Sequence, residues 1–277
     1  MPALIDKLTR EIEGQLDLFA SMWPRYGDVA DVEAPHRQRT AVNRLTGYAA
    51  FLGIAHRKSE GLEALRVWRK RVGPIRDIDV MREWAARAGV AGGEHATAAA
   101  ERLGATLLDR RTHLLEEVRR DTMGLPGAQA RVGVEATRAE FRRALAELGA
   151  IDRKTALDTV LAPWRKRLAV LRGGHRDEEL HAFRVANKRL RFVAEILVLE
   201  ETAIIARVHT ALGEMSDLWM LRDAIRIHRA AWALSGDAVS CEDGAHLEAG
   251  RAALEAAPFA AWYALLPVVA SGRFLSE

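Results

Sequence analysis

The sequence predicts an all-α protein made of two related halves, and three observations predict it. Apolar residues recur every three to four positions almost throughout the 277 residues, which is the spacing of a buried helix face. No stretch alternates convincingly with a period of two, so strands are not expected. A motif rich in histidine and arginine occurs twice, each time followed by a second repeated element.

Composition supports the first two observations. A chain with 49% hydrophobic and 29% charged residues is globular, and Ala, Leu, Arg and Glu outnumber Tyr, Phe and Pro, which favours helix. It is long enough to bury a core without disulfides or metals. Its 41 Lys and Arg against 38 Asp and Glu leave a net charge of only +3, so the placement of each sign matters more than the sum. Cys241 is the single cysteine; it excludes an internal disulfide or a multi-cysteine zinc site and reads as an inert thiol in a reducing compartment. The N-terminal segment MPALIDKLTREIEGQLDLF mixes charged and apolar residues at helical spacing. It predicts neither a signal peptide nor a membrane span, and a cytoplasmic location is expected.

Clusters of Gly, Pro, Ser and Asp divide the helices at Trp23–Asp28, Ala88–Gly93, Gly124–Gly127, Gly149–Asp152, Arg172–His175 and Ser235–Gly244. Asp31 or Glu33 is placed to open the helix that carries His36, and Pro163 to start or kink one. Gly73-Pro74 and Gly213-Glu214 read as short breaks between helices.

The repeat becomes visible when HRQRTAVNRL (His36 to Leu45) is set beside HAFRVANKRL (His181 to Leu190). The histidine, the arginine three residues later and the Arg-Leu pair coincide. Downstream, VGPIRD (Val72 to Asp77) and Arg82 align with LGEMSD (Leu212 to Asp217) and Arg222. The offsets are 145 (181 minus 36) and 140 (217 minus 77), a difference of one short loop. Duplication explains both matches and divides the chain into helical-bundle halves 1–148 and 149–277. Two such bundles are expected to face each other about an approximate two-fold axis.

On the second histidine helix, with His181 at zero, Lys188 falls at about −20°, Arg184 at about −60°, Arg191 at about −80° and Arg189 at about +80°. Phe183, Ala186, Leu190, Val193 and Leu197 lie opposite as a core stripe. A cationic face of this kind is most often simply solvated. Val185 and Phe192 project within it, however, which predicts that something covers it. The first carboxylate after His181 is Glu195, and like charges about 8 Å apart repel by roughly 0.5 kcal/mol per pair even in water. A bound anion would remove that cost, as would carboxylates from elsewhere such as Asp77 and Asp217. The first copy keeps His36, Arg39 and Arg44 but carries Asn43 where the second has Lys188 and Thr46 where it has Arg191. Arg69 aligns with His209 and is expected to point inward, towards a groove.

HAFRVANKRLR (His181 to Arg191), with its partial copy from His36 and the GPIRDIDV stretch (Gly73 to Val80), resembles the CHAD family, the conserved histidine α-helical domain. The resemblance implies two four-helix bundles related by a pseudo-two-fold axis, with a basic central groove or pore that binds inorganic polyphosphate. It implies phosphate contacts from His36, Arg39 and Arg44 of one half and His181, Arg184, Lys188, Arg189 and Arg191 of the other, with Arg69 and Arg222 as outer candidates. The residues that depart from the pattern, Asn43, Thr46 and Gly47, imply a weaker first half. A place at polyphosphate granules, or beside a partner protein of polyphosphate metabolism, is a further expectation that goes beyond the resemblance itself.

No P-loop, dinucleotide-binding glycine motif, zinc-protease helix or nucleophile elbow occurs, so neither catalysis nor a cofactor is expected. Phosphoryl transfer needs carboxylates to hold a divalent metal, and the basic faces carry no carboxylate cluster. A metal site on His36 and His181 is the sharper rival, opposed by the cations around each ring. A nucleic-acid binder is disfavoured because no recognition motif is present and Trp68 and Trp219 stand at core spacing. An accessory subunit of a phosphate-handling enzyme remains a further alternative. The other six histidines, at 56, 95, 113, 175, 228 and 246, show no ligand spacing.

Overall fold

A computed structural model describes residues 2–27, 31, 33–54, 59–148, 153–171, 176–271 and 274–275. Among them are nine α-helices and no strand, so the all-α expectation holds. The breaks read at Gly149–Asp152 and Arg172–His175 lie outside the described residues, as do Asp28, His56 and His175. The helices are α1 (Pro2–Ser21), α2 (Glu33–Phe51), α3 (Glu60–Gly92), α4 (Glu94–Met123), α5 (Leu125–Glu147), α6 (Arg153–Leu171), α7 (Asp177–Leu197), α8 (Thr202–Leu234) and α9 (Ala238–Val269), with a 3-10 turn at Trp23–Gly27.

Local chemistry fixes several of the ends. The Asp31 carboxylate accepts from the backbone N–H groups of Glu33 and Ala34, at 2.7 and 3.1 Å, and so caps α2. Ser59 caps α3 through Leu62 N–H at 3.1 Å, and Asp237 caps α9 through Ser240 N–H at 2.9 Å. The α3–α4 junction turns on Gly93, at φ +88°, a conformation only glycine adopts freely. The break read at Ser235–Gly244 is shorter than expected, because the Asp237 cap starts α9 at Ala238. At the far end of α7, Lys7 donates to the Glu195 and Ile196 carbonyls at 3.0 and 2.9 Å, placing a cation where the helix dipole is negative.

The breaks expected at Gly73-Pro74 and Gly213-Glu214 are corrected by the structure: α3 and α8 run unbroken through both. The buried stripe Leu65, Trp68, Val72, Ile75 and Ile78 carries across the first, and Val208, Ala211, Leu212, Met215 and Leu218 across the second. Continuous burial outweighs the one backbone donor that Pro74 removes. Pro163 likewise sits inside α6 without ending it.

The chain forms two compact units, residues 1–74 with 115–209, and residues 75–114 with 210–277. Each draws on both sequence halves, so compactness and repeat divide the chain differently. The second unit is held by an apolar cluster that includes Ile78, Ala88, Ala96, Leu103, Leu218 and Leu247. Its α3 and α9 meet at glycine: a Cβ on Gly250 would collide with the Ala88 carbonyl. A buried ion pair, Arg111 Nε to Asp79 Oδ1 at 2.6 Å, joins α4 to α3. Among the described residues α9 is the helix long and apolar enough to cross a membrane by length and composition, and 22% of its most apolar window is buried.

In the first unit α2 packs against α1, α6 and α7, α7 also against α6 and α1, and α1 against α5. Two buried amides tie the layers. Gln38 Oε1 accepts from Tyr26 Oη at 2.6 Å and Trp68 Nε1 at 2.7 Å, while its Nε2 donates to the Phe19 carbonyl at 2.9 Å. Asn187 accepts from Trp164 Nε1 and donates to the Ile205 carbonyl, both at 3.1 Å. The two motif helices themselves touch: a Cβ on Gly47 would lie 3.3 Å from Phe192 Cδ2 and 3.6 Å from the Arg189 carbonyl oxygen. In the repeat register these positions are counterparts, since 192 minus 47 is again 145.

Two stability outcomes follow from this packing. Gln38→Leu leaves two buried donors and a carbonyl without partners, at roughly 1–3 kcal/mol per group, and lowers the denaturant midpoint with an unchanged slope. Gly47→Leu overpacks the α2–α7 crossing by about 1–3 kcal/mol, read by thermal unfolding, while a leucine at exposed Gly14, which has no neighbour within 4 Å, costs far less.

Candidate anion-binding site

The α7 stripe predicted to be core is buried, with Phe183 and Leu190 fully enclosed. Of the two apolar residues on the basic face, Phe192 is completely buried, whereas Val185 keeps 38% of its surface exposed. Phe192 is covered from α2, and its ring also supports two guanidiniums: the Cζ atoms of Arg44 and Arg191 each lie 4.9 Å from its centroid, within cation–π range.

Glu195 links the same two arginines. Its Oε2 is 3.0 Å from Arg44 Nη1 and its Oε1 is 3.6 Å from Arg191 Nη1. One carboxylate thus serves two cations. Burial disfavours the charge on Arg44, but Tyr48 and Glu195 outweigh it and push its pKa up. Arg191 is pulled down by burial, with Arg44 acting in the same sense against Glu195.

The centre of the cluster is Lys188. Burial, followed by the charges of Arg184, Arg39, Arg191 and Arg69, brings its pKa down to about 7. Those four arginines come from α7, α2, α7 and α3, so both copies of the motif supply charge to one place. Among the described residues no carboxylate forms an ion pair with Lys188. Arg39 is steadied by the Gly73 carbonyl at 3.3 Å, and Arg69 by Asn43 Oδ1 at 3.3 Å. Asn43, which lacks the charge of its counterpart Lys188, therefore orients an arginine that has it.

His209 on α8 completes the cluster. Burial and the charges of Arg191, Arg184 and Lys188 hold its pKa down to about 3, so the ring is neutral. Its Nδ1 is buried with no hydrogen-bond partner among the described residues. His209 is absent from the candidates read from sequence, although its alignment with Arg69 was the available signal. Glu195 was the other: four residues after Arg191, it lies on the basic face and not beyond it.

The remaining candidates are placed around this centre or away from it. His181 is lowered by burial and by Arg184 beside it. Arg189 lies apart from the Lys188 group; burial, then Arg66, lowers its pKa. His36 is exposed on α2, near Glu33. Arg222 is in the second unit, where its Nε lies 3.3 Å from Asp223 Oδ1.

None of the curated proteins compared matches the chain. A family model described as CHAD domain matches residues 10–226. Among solved structures, the crystal structure of the CHAD domain from the plant Ricinus communis is similar at a TM-score of 0.54 and 18% identity, over 95% of this chain and 91% of that one. That likeness is one of fold. The family match spans well over half the chain and includes both copies of the motif, and the chain belongs to the CHAD family.

Proposed function

We propose that the basic cluster of the first unit binds inorganic polyphosphate and does not turn it over. The observation that carries this reading is Lys188, ringed by Arg39, Arg69, Arg184 and Arg191, with a pKa drawn down to about 7. A lysine held among four arginines raises the free energy of the empty site, and a polyanion that enters it relieves the repulsion and restores the lysine charge. The CHAD family is linked to polyphosphate binding in general, and the chemistry agrees. A flexible chain with a negative charge on each internal phosphate can contact several guanidiniums in sequence, each offering forked donors to phosphate oxygens.

In this reading Arg39, Arg69, Arg184, Lys188 and Arg191 hold the chain, and His209 gains a proton acceptor for its buried ring. Arg44 and His181 flank the centre, while His36 and Arg189 extend it. Glu195 competes with the ligand for Arg44 and Arg191, which lowers affinity but keeps both side chains oriented. The protein works in the cytoplasm, at polyphosphate granules or beside a partner protein of polyphosphate metabolism.

The test is calorimetric titration with long-chain polyphosphate at two salt concentrations. Lys188→Ala combined with Arg184→Ala weakens binding by at least about tenfold, since charge-assisted contacts contribute roughly 1.5–3 kcal/mol each, and makes it less dependent on salt. An unchanged affinity in the double variant would remove the proposal. The pH dependence has a definite sign. Lys188 is protonated below about 7 in the empty protein, and the bound anion raises its pKa. Binding above pH 7 therefore takes up a proton: affinity is full below pH 7 and declines as pH rises towards 9. Lys188→Arg, whose charge does not titrate, flattens the profile between pH 6.5 and 8.5.

A further inference from the structure

The second unit carries a cavity of about 430 Å³ lined by α8 and α9, within the roughly 300–1,000 Å³ typical of small-molecule sites. The family match ends at residue 226, on the wall of this cavity, and Arg229, Ala230, Cys241 and Glu248 of its lining lie beyond that point. One wall is basic. Arg222, Arg226 and Arg229 line it from α8, and their spacing of four and then three residues stacks them on one helix face. The rest of the lining includes Ile225, Ala230 and Cys241, and the buried Ile225 belongs to the core of the unit.

The wall is electrostatically unbalanced. Glu248 is the carboxylate lining the cavity, but its Oε1 already accepts from Arg251 Nε at 2.9 Å. Arg222 has Asp223 beside it. Among the described residues neither Arg226 nor Arg229 forms an ion pair. Arg229 is also held in place: its stem crosses Gly244 of α9, where a Cβ would come within 2.6 Å of Arg229 Cγ and 3.0 Å of Trp232 Cζ3. Its Nε is buried and has no hydrogen-bond partner among the described residues. A fixed guanidinium, a second one a turn away and an apolar wall beside them suit a ligand with a compact anionic head and an organic body.

We propose that this cavity is a binding site for a small organophosphate, whose phosphate lies on Arg226 and Arg229, with Arg222 at the edge, and whose organic part lies against Ile225, Ala230 and Cys241. Phosphate suits the three guanidiniums better than a carboxylate does, because its oxygens can accept from more than one fork at once. The apolar wall gives an organic body something to bind that inorganic phosphate and polyphosphate lack.

The test is titration of the full chain at low salt with adenosine 5′-monophosphate, ribose 5-phosphate and inorganic phosphate. At least one of the two organic phosphates binds with one-to-one stoichiometry and about tenfold or more tighter than inorganic phosphate, an increment that a few apolar contacts supply. Arg226→Ala, a substitution at an exposed position, weakens that binding tenfold or more and leaves polyphosphate binding and the melting temperature unchanged. Cys241→Trp, which fills the cavity, also abolishes it. The proposal fails if neither organic phosphate exceeds inorganic phosphate, or if Arg226→Ala has no effect. It fails equally if Lys188→Ala abolishes organophosphate binding instead, since the ligand would then sit in the first unit.

Discussion

The contact between Gly47 and Phe192 is the constraint on which the basic cluster depends. Side chains of α2 reach those of α7 only because glycine lets the second helix approach closely enough for a phenylalanine ring to fill the crossing. Once that ring is enclosed, Arg44 and Arg191 both lie against it, Glu195 bridges them, and Arg39 comes within range of Lys188. The gain from burying the aromatic ring, about 1.5–3 kcal/mol for a large apolar side chain, is spent in the same place as the cost of assembling like charges. Hydrophobic packing holds the cations where their own repulsion would separate them.

The buried amides give the same arrangement its orientation. Gln38 and Asn187 each join a tryptophan indole to a backbone carbonyl of a further element. Apolar surfaces can slide or rotate at modest cost, but a buried amide with all its partners satisfied has few alternatives. The helices that present Arg39, Lys188 and Arg69 are therefore fixed in rotation as well as in distance, which a site built from long, flexible side chains requires.

Much of this was legible in the sequence. Helical periodicity gave the all-α class, and the angular placement of residues 181 to 191 separated core from charge correctly at Phe183, Leu190 and Lys188. The failures have physical causes. Gly73-Pro74 and Gly213-Glu214 read as breaks because local propensity was weighed without the buried stripe that continues past them. Glu195 looked too distant in sequence to matter, yet one further turn of helix returns it to the same face. His209 was hidden because its importance comes from burial among cations supplied by α7, which no local pattern records. Gln38 gives no signal at all, since a glutamine between two basic residues looks like surface until the fold encloses it.

The difference between the two motif copies acquires a steric meaning at residues 47 and 192. Had both repeats carried phenylalanine there, two rings would compete for space that holds one. Had both carried glycine, the crossing would contain a void and the guanidiniums would lose their aromatic support. Helices that meet at equivalent positions cannot both supply the bulky partner, so divergence at this pair is a condition for joining the repeats and not an erosion of the motif.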